Sequence, residues 1–252
     1  DKFLEILQNT ISDSGWKCYA YCLMTNHYHI LIESTDGDTS RGMHKLNGVY
    51  AQYFNWKHDR VGPLYQGRFK SILVDRENYF LELCRYIVLN PVRAGLVRSP
   101  EEYHWSSYRA TAGLDNQSTC IDRKVVLSRF AGDNDSDAFA LAAYSQFVND
   151  GLDMDFSPFE LKGNLILGDR KFVDSLKNEI DKEKNNPDFP KKQRMVCRPD
   201  LEELLNPLNI SLRETRNAAI RKAYKEYGYT QSDIAKFLGI HFTTVYRIVK
   251  HS

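Results

Sequence analysis

The sequence has few cysteines, no long apolar run and almost no net charge. Its five cysteines form an odd, scattered set without a Cys-x-x-Cys pair. This pattern disfavours a disulfide framework or a zinc site and predicts buried, reduced thiols. No stretch approaches the roughly 20 apolar residues of a membrane helix, so we expect no membrane-spanning segment. The first residues lack the basic and apolar regions of a signal peptide, which predicts a cytoplasmic protein.

The net charge of +1 conceals an uneven distribution. Lys and Arg outnumber Asp and Glu by 11 to 6 in residues 41–110 and by 12 to 6 in residues 191–252, whereas residues 111–190 carry 9 against 15. Lys and Arg supply most of the sequence-independent affinity for nucleic acid, because they neutralise phosphates. The two basic regions therefore favour a polyanionic partner, with an ordinary solvated surface as the alternative.

Strand and helix patterns interleave in residues 1–110 and predict an α+β domain. The expected elements are a helix over 2–14, strands over 17–24 and 27–33, a helix over 41–59, a strand over 67–75 and a helix over 77–90. Thr25 and Asn26 supply the turn between the first two strands. Pro91 is expected to end the last helix, because proline disfavours α geometry in the residue before it.

Beyond residue 110 the strand signal fades. A helical connecting region is predicted over 111–180, a linker rich in Lys, Asn and Pro over 181–195, and a second compact domain over 196–252. The expected helices of the connecting region cover 123–130, 136–148 and 170–180.

His27 and His29 stand at alternate positions of the second predicted strand, so their side chains share one face of it. Two neutral imidazoles in this arrangement can direct a ring nitrogen at a single metal ion. Such a pair is also common among surface or packed histidines, and spacing alone leaves both possibilities open.

Three separated segments and their order resemble a known family. They are residues 21–33, 62–69 and 85–97, and the likeness extends into Trp105-Ser-Ser-Tyr108. They resemble the REP-associated tyrosine transposases, which belong to the HUH single-strand endonucleases, where U is a bulky hydrophobic residue. The resemblance implies a ferredoxin-like domain with an antiparallel sheet and packed helices. The family usually has a strand before the first helix, which the sequence as printed does not show.

The resemblance also assigns chemistry to individual residues. The family's nucleophile falls on Tyr86, and Asn90 takes the position that can complete a metal site with His27 and His29. Residues i and i+4 lie on one helix face, so Tyr86 and Asn90 can approach the same ion. A carbonyl oxygen suits Mg²⁺ or Mn²⁺. The alternative for Asn90 is a helix-ending role beside Pro91.

A tyrosine suits reversible strand cleavage. A phenol with a pKa near 10 is a good leaving group, so a free 3′-hydroxyl can reverse the phosphotyrosine bond without an external energy source. Several side chains are candidates for DNA contact in a backbone-tracking groove, and for each alone ordinary packing or a solvated charge is the alternative. They are Arg41, Lys45, Gln66, Arg68, Lys70, Arg85 and Arg93. Tyr65, Phe69 and Trp105 are candidates for stacking on unpaired bases.

Residues 219–250 predict a helix-turn-helix, with helices over 219–227, 231–238 and 242–250. Thr230 and Asp233 have the spacing of a capping box. The segment resembles the carboxy-terminal domain of replication initiators. The third helix would then read DNA, and protein contact is the alternative use of such a scaffold. Its candidate contacts are His241, Thr243, Thr244, Tyr246 and Arg247.

The patterns together favour a metal-dependent transposase that cleaves and rejoins single-stranded or hairpin DNA through a 5′-phosphotyrosine, as a monomer or homodimer associated with the nucleoid. The main alternative is a DNA-binding regulator that uses the same fold without catalysis. A replication or conjugation initiator fits less well, because such proteins usually show another motif order and often two tyrosines.

Overall fold

A computed structural model describes residues 2–35, 37–115, 120–132, 136–152, 166–169, 171–172, 175–176, 201–206 and 213–250. The chain divides into two compact units. The first consists of Asp1–Ser71 and Tyr79–Ser157, and the second of Ile72–Asn78 and Pro158–Ser252. The predicted linker over 181–195 lies outside the described residues, as does most of the helix predicted over 170–180.

The first unit is organised around an antiparallel pair of strands. Helix α1 (Lys2–Ser14) leads into β1 (Trp16–Leu23), which pairs with β2 (Tyr28–Ser34). The backbone N–H of Met24 donates to the His27 carbonyl at 2.8 Å and closes the turn. The register shifts between Cys18 and Ala20, as in a β-bulge. The strand pair predicted from alternation and turn residues is confirmed.

The two faces of β2 pack against different helices. Tyr28, Ile30 and Ile32 join the cluster formed by α1 and α2 (Thr39–Lys57). Leu31 joins the opposite cluster, which contains buried residues of α3 (Arg76–Arg93). That cluster also includes residues of α4 (Tyr108–Thr111), α5 (Arg123–Leu127) and α6 (Asp137–Asn149). The alternation expected along this strand therefore places its odd-numbered residues toward α3.

The segment around Trp105 lies against the other edge of β1. The Leu23 N–H donates to the Trp105 carbonyl at 2.8 Å, and the Ser107 N–H donates to the Tyr21 carbonyl at 2.9 Å. Cys22 and Ser106 form an isolated antiparallel bridge between these bonds. The segment follows a short 3₁₀ turn (Pro100–Glu102) and extends the sheet by main-chain pairing.

Helix α3 continues past Pro91, contrary to the sequence prediction, and ends at Arg93. The left-handed Gly95 (φ 68°) follows the helix, and the Leu96 N–H donates to the Pro91 carbonyl at 2.9 Å. Glycine is favoured in this conformation because it has no Cβ. The terminating residue is therefore a glycine two positions beyond the helix.

The strand predicted over residues 67–75 is also wrong in extent. Only Leu73–Val74 form a strand, β3, which pairs in parallel with β4 (Ile166–Leu167) in the second unit. Residues 66–68 and 70–73 are exposed, so this stretch gains little from burial on a sheet. Strand β4 was not anticipated in the region predicted to be helical.

The second unit carries the predicted helix-turn-helix. Helix α7 (Leu201–Leu204) precedes α8 (Arg213–Lys225), α9 (Gln231–Leu238) and α10 (Phe242–Lys250). Thr230 and Asp233 form the predicted capping box, and Gly239 (φ 63°) caps the other end of α9. The buried Ile220, Ile234 and Val245 come from the three longer helices and share one core.

The α+β class, the antiparallel strands with packed helices and the helix-turn-helix are thus confirmed. Among the described residues, no helix combines the length and apolar character needed to cross a membrane.

Candidate active site and DNA interface

The histidine pair lies where the β1–β2 turn enters β2. His27 precedes the strand and His29 is its second residue, with Cys22 opposite it on β1. The two imidazole ring centroids are 5.0 Å apart and their planes are nearly perpendicular, at 89°. At this distance both rings can offer a nitrogen to one small ion.

Asn26 orients His27. The Nδ1 atom of His27 lies 2.6 Å from Asn26 Oδ1, a contact that is a hydrogen bond when Nδ1 carries the proton, because a carbonyl oxygen only accepts. This tautomer leaves Nε2 as the nitrogen with a lone pair for a metal. The sequence indicated Asn26 only as a turn residue, although a carboxamide next to a candidate ligand was a signal for such an orienting partner.

The environment of His29 favours its neutral form. Burial lowers the pKa of His29 below its ordinary value, and the charge of nearby His27 lowers it further. A metal ligand must be the neutral imidazole, so protons compete less for this side chain than for a solvated histidine.

Helix α3 brings Tyr86 to the same place. Its buried residues Phe80, Cys84, Ile87 and Val88 belong to the core cluster that Leu31 joins from β2. Tyr86 is partly buried at the edge of that cluster, and its ring centroid lies 6.2 Å from that of His29. The structure therefore places the predicted nucleophile beside the predicted metal ligands.

Arg93 contacts the Tyr86 ring. Its guanidinium carbon is 5.3 Å from the Tyr86 ring centroid, in a cation–π contact. Burial lowers the pKa of Arg93, although a guanidinium stays protonated at neutral pH. The side chain is exposed, so its positive charge adjoins the tyrosine and can be reached by a phosphate.

Asn90 supports the helix that carries Tyr86. Pro91 has no backbone N–H, so the carbonyl of Ile87 loses its usual helical donor. The Asn90 Nδ2 atom donates to the Tyr86 carbonyl at 2.9 Å and more distantly, at 3.4 Å, to the Ile87 carbonyl. Asn90 thus stabilises the helix through its amide nitrogen. Its carbonyl oxygen takes no part in these bonds and can coordinate a cation.

The donor chemistry of this region fits a divalent ion. His27 supplies an imidazole nitrogen, His29 an imidazole whose pKa is lowered, and Asn90 a carbonyl oxygen. Within the described residues, no group of three His, Cys, Asp or Glu side chains could hold a metal. A third protein ligand from these residues must therefore be of another type, such as an amide oxygen.

Arg85 was predicted to contact DNA, but the structure buries it. Its side chain is 5% exposed, donates to the Phe147 carbonyl at 3.2 Å and pairs with Glu82 at 2.5 Å. Its guanidinium also lies 4.3 Å from the Phe147 ring centroid. Arg85 therefore ties α3 to α6 and is not available to a phosphate backbone.

The other cations of the first unit that were predicted to contact DNA are exposed. Arg41 lies 3.7 Å from Asp38, and Lys45 pairs with Asp13. Such exposed pairs contribute only about 0–1 kcal/mol, so a phosphate can compete for them. Gln66, Arg68 and Lys70 are exposed in the segment before β3. Of the predicted stacking residues, Trp105 is 44% exposed, whereas Tyr65 and Phe69 are partly buried.

Helix α10 presents its predicted contacts on one side. Val245 is buried, while Thr244, Tyr246 and Arg247 are exposed. His241 and Thr243 also build the start of the helix, because His241 Nδ1 lies 2.8 Å from Thr243 Oγ1 and accepts from the Thr243 N–H. Residues 213–250 carry eight Lys and Arg against three Asp and Glu, which suits a polyanion.

The described cysteines take no part in this site. Cys18, Cys22, Cys84 and Cys120 are all buried, and none of the four forms a disulfide. Burial raises the pKa of both the Cys22 and the Cys84 thiol to about 12, so these two side chains stay protonated at neutral pH. The prediction of buried, reduced thiols is confirmed for these four residues.

Two segments of the chain match known families. Residues 1–90 match the family model described as "Transposase IS200 like", and residues 211–252 match that described as "Homeodomain-like domain". The first match contains the histidine pair, Tyr86 and Asn90. No curated protein and no solved structure matches the chain.

Proposed function

Since residues 1–90 form an IS200-like transposase domain and residues 211–252 a homeodomain-like domain, we propose that this transposase cleaves and rejoins single-stranded DNA through a phosphotyrosine on Tyr86. The observation that carries the proposal is the convergence of Tyr86 on the histidine pair. The His29 and Tyr86 ring centroids are 6.2 Å apart, and those of His27 and His29 are 5.0 Å apart.

The reaction exchanges one phosphodiester bond for another. The Tyr86 phenol oxygen bonds to the scissile phosphorus and the bond from phosphorus to the 3′-oxygen breaks. The phenol loses its proton to solvent, and the departing 3′-oxygen gains one. The product is a 5′-phosphotyrosine, which a free 3′-hydroxyl reverses by the opposite steps.

His27, His29 and Asn90 are the residues that would hold Mg²⁺ or Mn²⁺. The bound ion would polarise the phosphate and neutralise charge that develops on its oxygens. The packing of α3 on the sheet keeps Tyr86 beside these ligands, and Arg93 offers a further positive charge next to the nucleophile.

Hairpin DNA is the proposed substrate, and the homeodomain-like unit is proposed to bind adjoining duplex. A hairpin offers single-stranded nucleotides to the first unit and a duplex groove to α10. The cytoplasmic, nucleoid-associated location follows from this substrate, because the enzyme must reach DNA.

A covalent trapping assay tests the proposal. The full chain is incubated with a library of labelled hairpins and Mn²⁺ or Mg²⁺, and denaturing electrophoresis detects protein joined to DNA. We expect a metal-dependent adduct that Tyr86→Phe abolishes. Tyr79→Phe is the matched control, because Tyr79 is the other tyrosine of α3. Failure of every hairpin to form an adduct, with binding retained, would instead support the non-catalytic regulator.

A further inference from the structure

We propose that the end of α2 and the segment after it form a base-stacking surface for unpaired nucleotides of the bound strand that lie outside the reacting site. This surface, the α2 surface, consists of Tyr53, Trp56, Lys57 and Arg60. It rests on the proposed function only for the choice of DNA as the natural nucleic acid.

The first observation is the exposure of a large aromatic side chain. Trp56 is 81% exposed and Val61 is 101% exposed, whereas Trp16 in the core is 4% exposed. Tryptophan side chains are highly buried on average in folded proteins. An indole left in water on a regular helix is therefore available to a partner.

The second observation is the arrangement of the rings along the helix. Tyr50 and Tyr53 have ring centroids 6.4 Å apart, and Tyr53 and Trp56 have centroids 6.3 Å apart with planes tilted by 43°. The three-residue spacing places these rings on one side of α2. Successive π faces are what unpaired bases stack on, and this stacking tolerates any base sequence.

The third observation is that cations interleave with the rings. The Lys57 ammonium lies 5.7 Å from the Tyr53 ring centroid, and the Arg60 guanidinium carbon lies 5.7 Å from that of Phe54. Residues 50–62 contain these two cations and a single carboxylate, Asp59. Cations beside aromatic rings match the two components of a single strand, because the cations can bind phosphates and the rings can stack on bases.

The position of the α2 surface relative to Tyr86 determines which nucleotides of the strand it can bind. Helix α2 packs with Tyr28, Ile30 and Ile32, whereas Leu31 of the same strand packs with α3. The histidines alternate with Tyr28 and share the Leu31 side of β2. The α2 surface therefore belongs to the opposite side of the sheet from Tyr86 and is expected to bind DNA beyond the scissile phosphate.

Binding of oligothymidylate to the full chain tests this assignment. Oligothymidylate has no duplex groove for the helix-turn-helix, and fluorescence anisotropy of a labelled oligomer measures its affinity. We expect Trp56→Ala to weaken binding about 5-fold to 100-fold, and Trp56→Phe to retain most of it. Phe139→Ala is the matched control, because Phe139 is a 53% exposed aromatic on α6, a helix whose first turn carries an acidic residue, Asp137. Its affinity should equal that of the unaltered protein.

The salt dependence of DNA affinity tests whether Lys57 and Arg60 contact phosphates. Removing one such contact lowers the slope of log affinity against log salt by about 0.7 for single strands. We expect Lys57→Gln with Arg60→Gln to reduce the slope by about 1.4, and Trp56→Ala to leave it unchanged.

Intrinsic fluorescence gives a readout confined to the first unit, because all three tryptophans, Trp16, Trp56 and Trp105, belong to it. Stacking of bases on Trp56 should quench its emission, and Trp56→Phe should remove most of the quenching.

Equal affinities of Trp56→Ala and Phe139→Ala would overturn the proposal. The proposal would also be overturned if Trp56→Ala lost self-association in sedimentation while its DNA affinity stayed unchanged. That result would assign the α2 surface to contact between copies. Trp56-dependent binding without any covalent adduct would keep the α2 surface and refute the proposed reaction.

Discussion

Asn90 stabilises helix α3 and is also proposed to act in the chemistry. Its amide nitrogen donates to the Tyr86 carbonyl at 2.9 Å, next to a proline that removes a helical donor. Its carbonyl oxygen is the atom expected to face the metal. The two roles use different atoms, so substitutions can separate them.

Asn90→Asp and Asn90→Ala should differ in metal binding but agree in stability. Both remove the donor to the helix carbonyls, and each should lower the free energy of unfolding in EDTA by about 1 kcal/mol. Aspartate restores an oxygen ligand with a negative charge, so it should bind Mn²⁺ at least as well as asparagine, whereas alanine should bind it more weakly. Urea denaturation and calorimetric Mn²⁺ titration measure the two effects. Equal Mn²⁺ affinity of all three proteins would leave Asn90 with the helical role alone.

Cys22 and Cys84 should resist alkylation in the folded protein. Burial raises the pKa of each thiol to about 12, so the reactive thiolate is scarce at pH 8 and grows only as the pH approaches that value. Residue-level mass spectrometry after brief iodoacetamide treatment should find both unmodified, and full modification in denaturant serves as the control. Rapid labelling of either thiol in the native protein would contradict its burial.

At the scale of elements, helix α3 and the β1–β2 pair bring the chemical groups together. Alternation and helical spacing were sufficient to predict that the histidines share a strand face and that Tyr86 and Asn90 share a helix face. The burial of Arg85 was not predictable in this way, because its partner Phe147 is 62 residues away in the chain. The continuation of α3 through Pro91 depends likewise on side-chain bonds that propensity does not include.

Helix α2 packs on β1 through Gly42. Alanine at Gly42 and alanine at Gly48 should therefore change the free energy of unfolding in opposite directions. A Cβ on Gly42 would lie 2.1 Å from the Trp16 ring, whereas one on Gly48 would meet nothing within 4 Å. Gly42→Ala should lower the free energy of unfolding by about 1–3 kcal/mol because a packed ring must move. Gly48→Ala should raise it by about 0.5–1 kcal/mol because alanine loses less entropy in a helix. Chemical denaturation measures both, and a destabilising Gly48→Ala or a neutral Gly42→Ala would contradict the packing.

In the whole molecule, residues 1–90 match an IS200-like transposase family and residues 211–252 match a homeodomain-like domain. The sequence predicted both, since the motifs of each are local. It placed the end of the first domain at residue 110, whereas the first compact unit reaches Ser157. Tyr144 and Val148 of α6 share a core with Tyr19 of β1, and contacts so distant in sequence leave no local pattern.

The division of labour between the two domains can be tested with Arg247. This exposed residue of α10 is expected to touch duplex DNA, so Arg247→Ala should weaken duplex binding on the order of tenfold. It should leave adduct formation on a short hairpin unchanged at saturating DNA. Arg213→Ala, an exposed cation at the start of α8, is the control for charge alone. Equal losses for the two variants in duplex anisotropy would remove the special role of α10.

Peptide mapping of the covalent adduct tests whether Tyr86 forms the bond to DNA. After nuclease trimming and trypsin digestion, cleavage at Arg85 and Arg93 releases residues 86–93 with any attached nucleotide. We predict a 5′-linked nucleotide on Tyr86, formed only when Mn²⁺ or Mg²⁺ is present. A nucleotide on another residue, or strand cleavage with no peptide adduct, would contradict it.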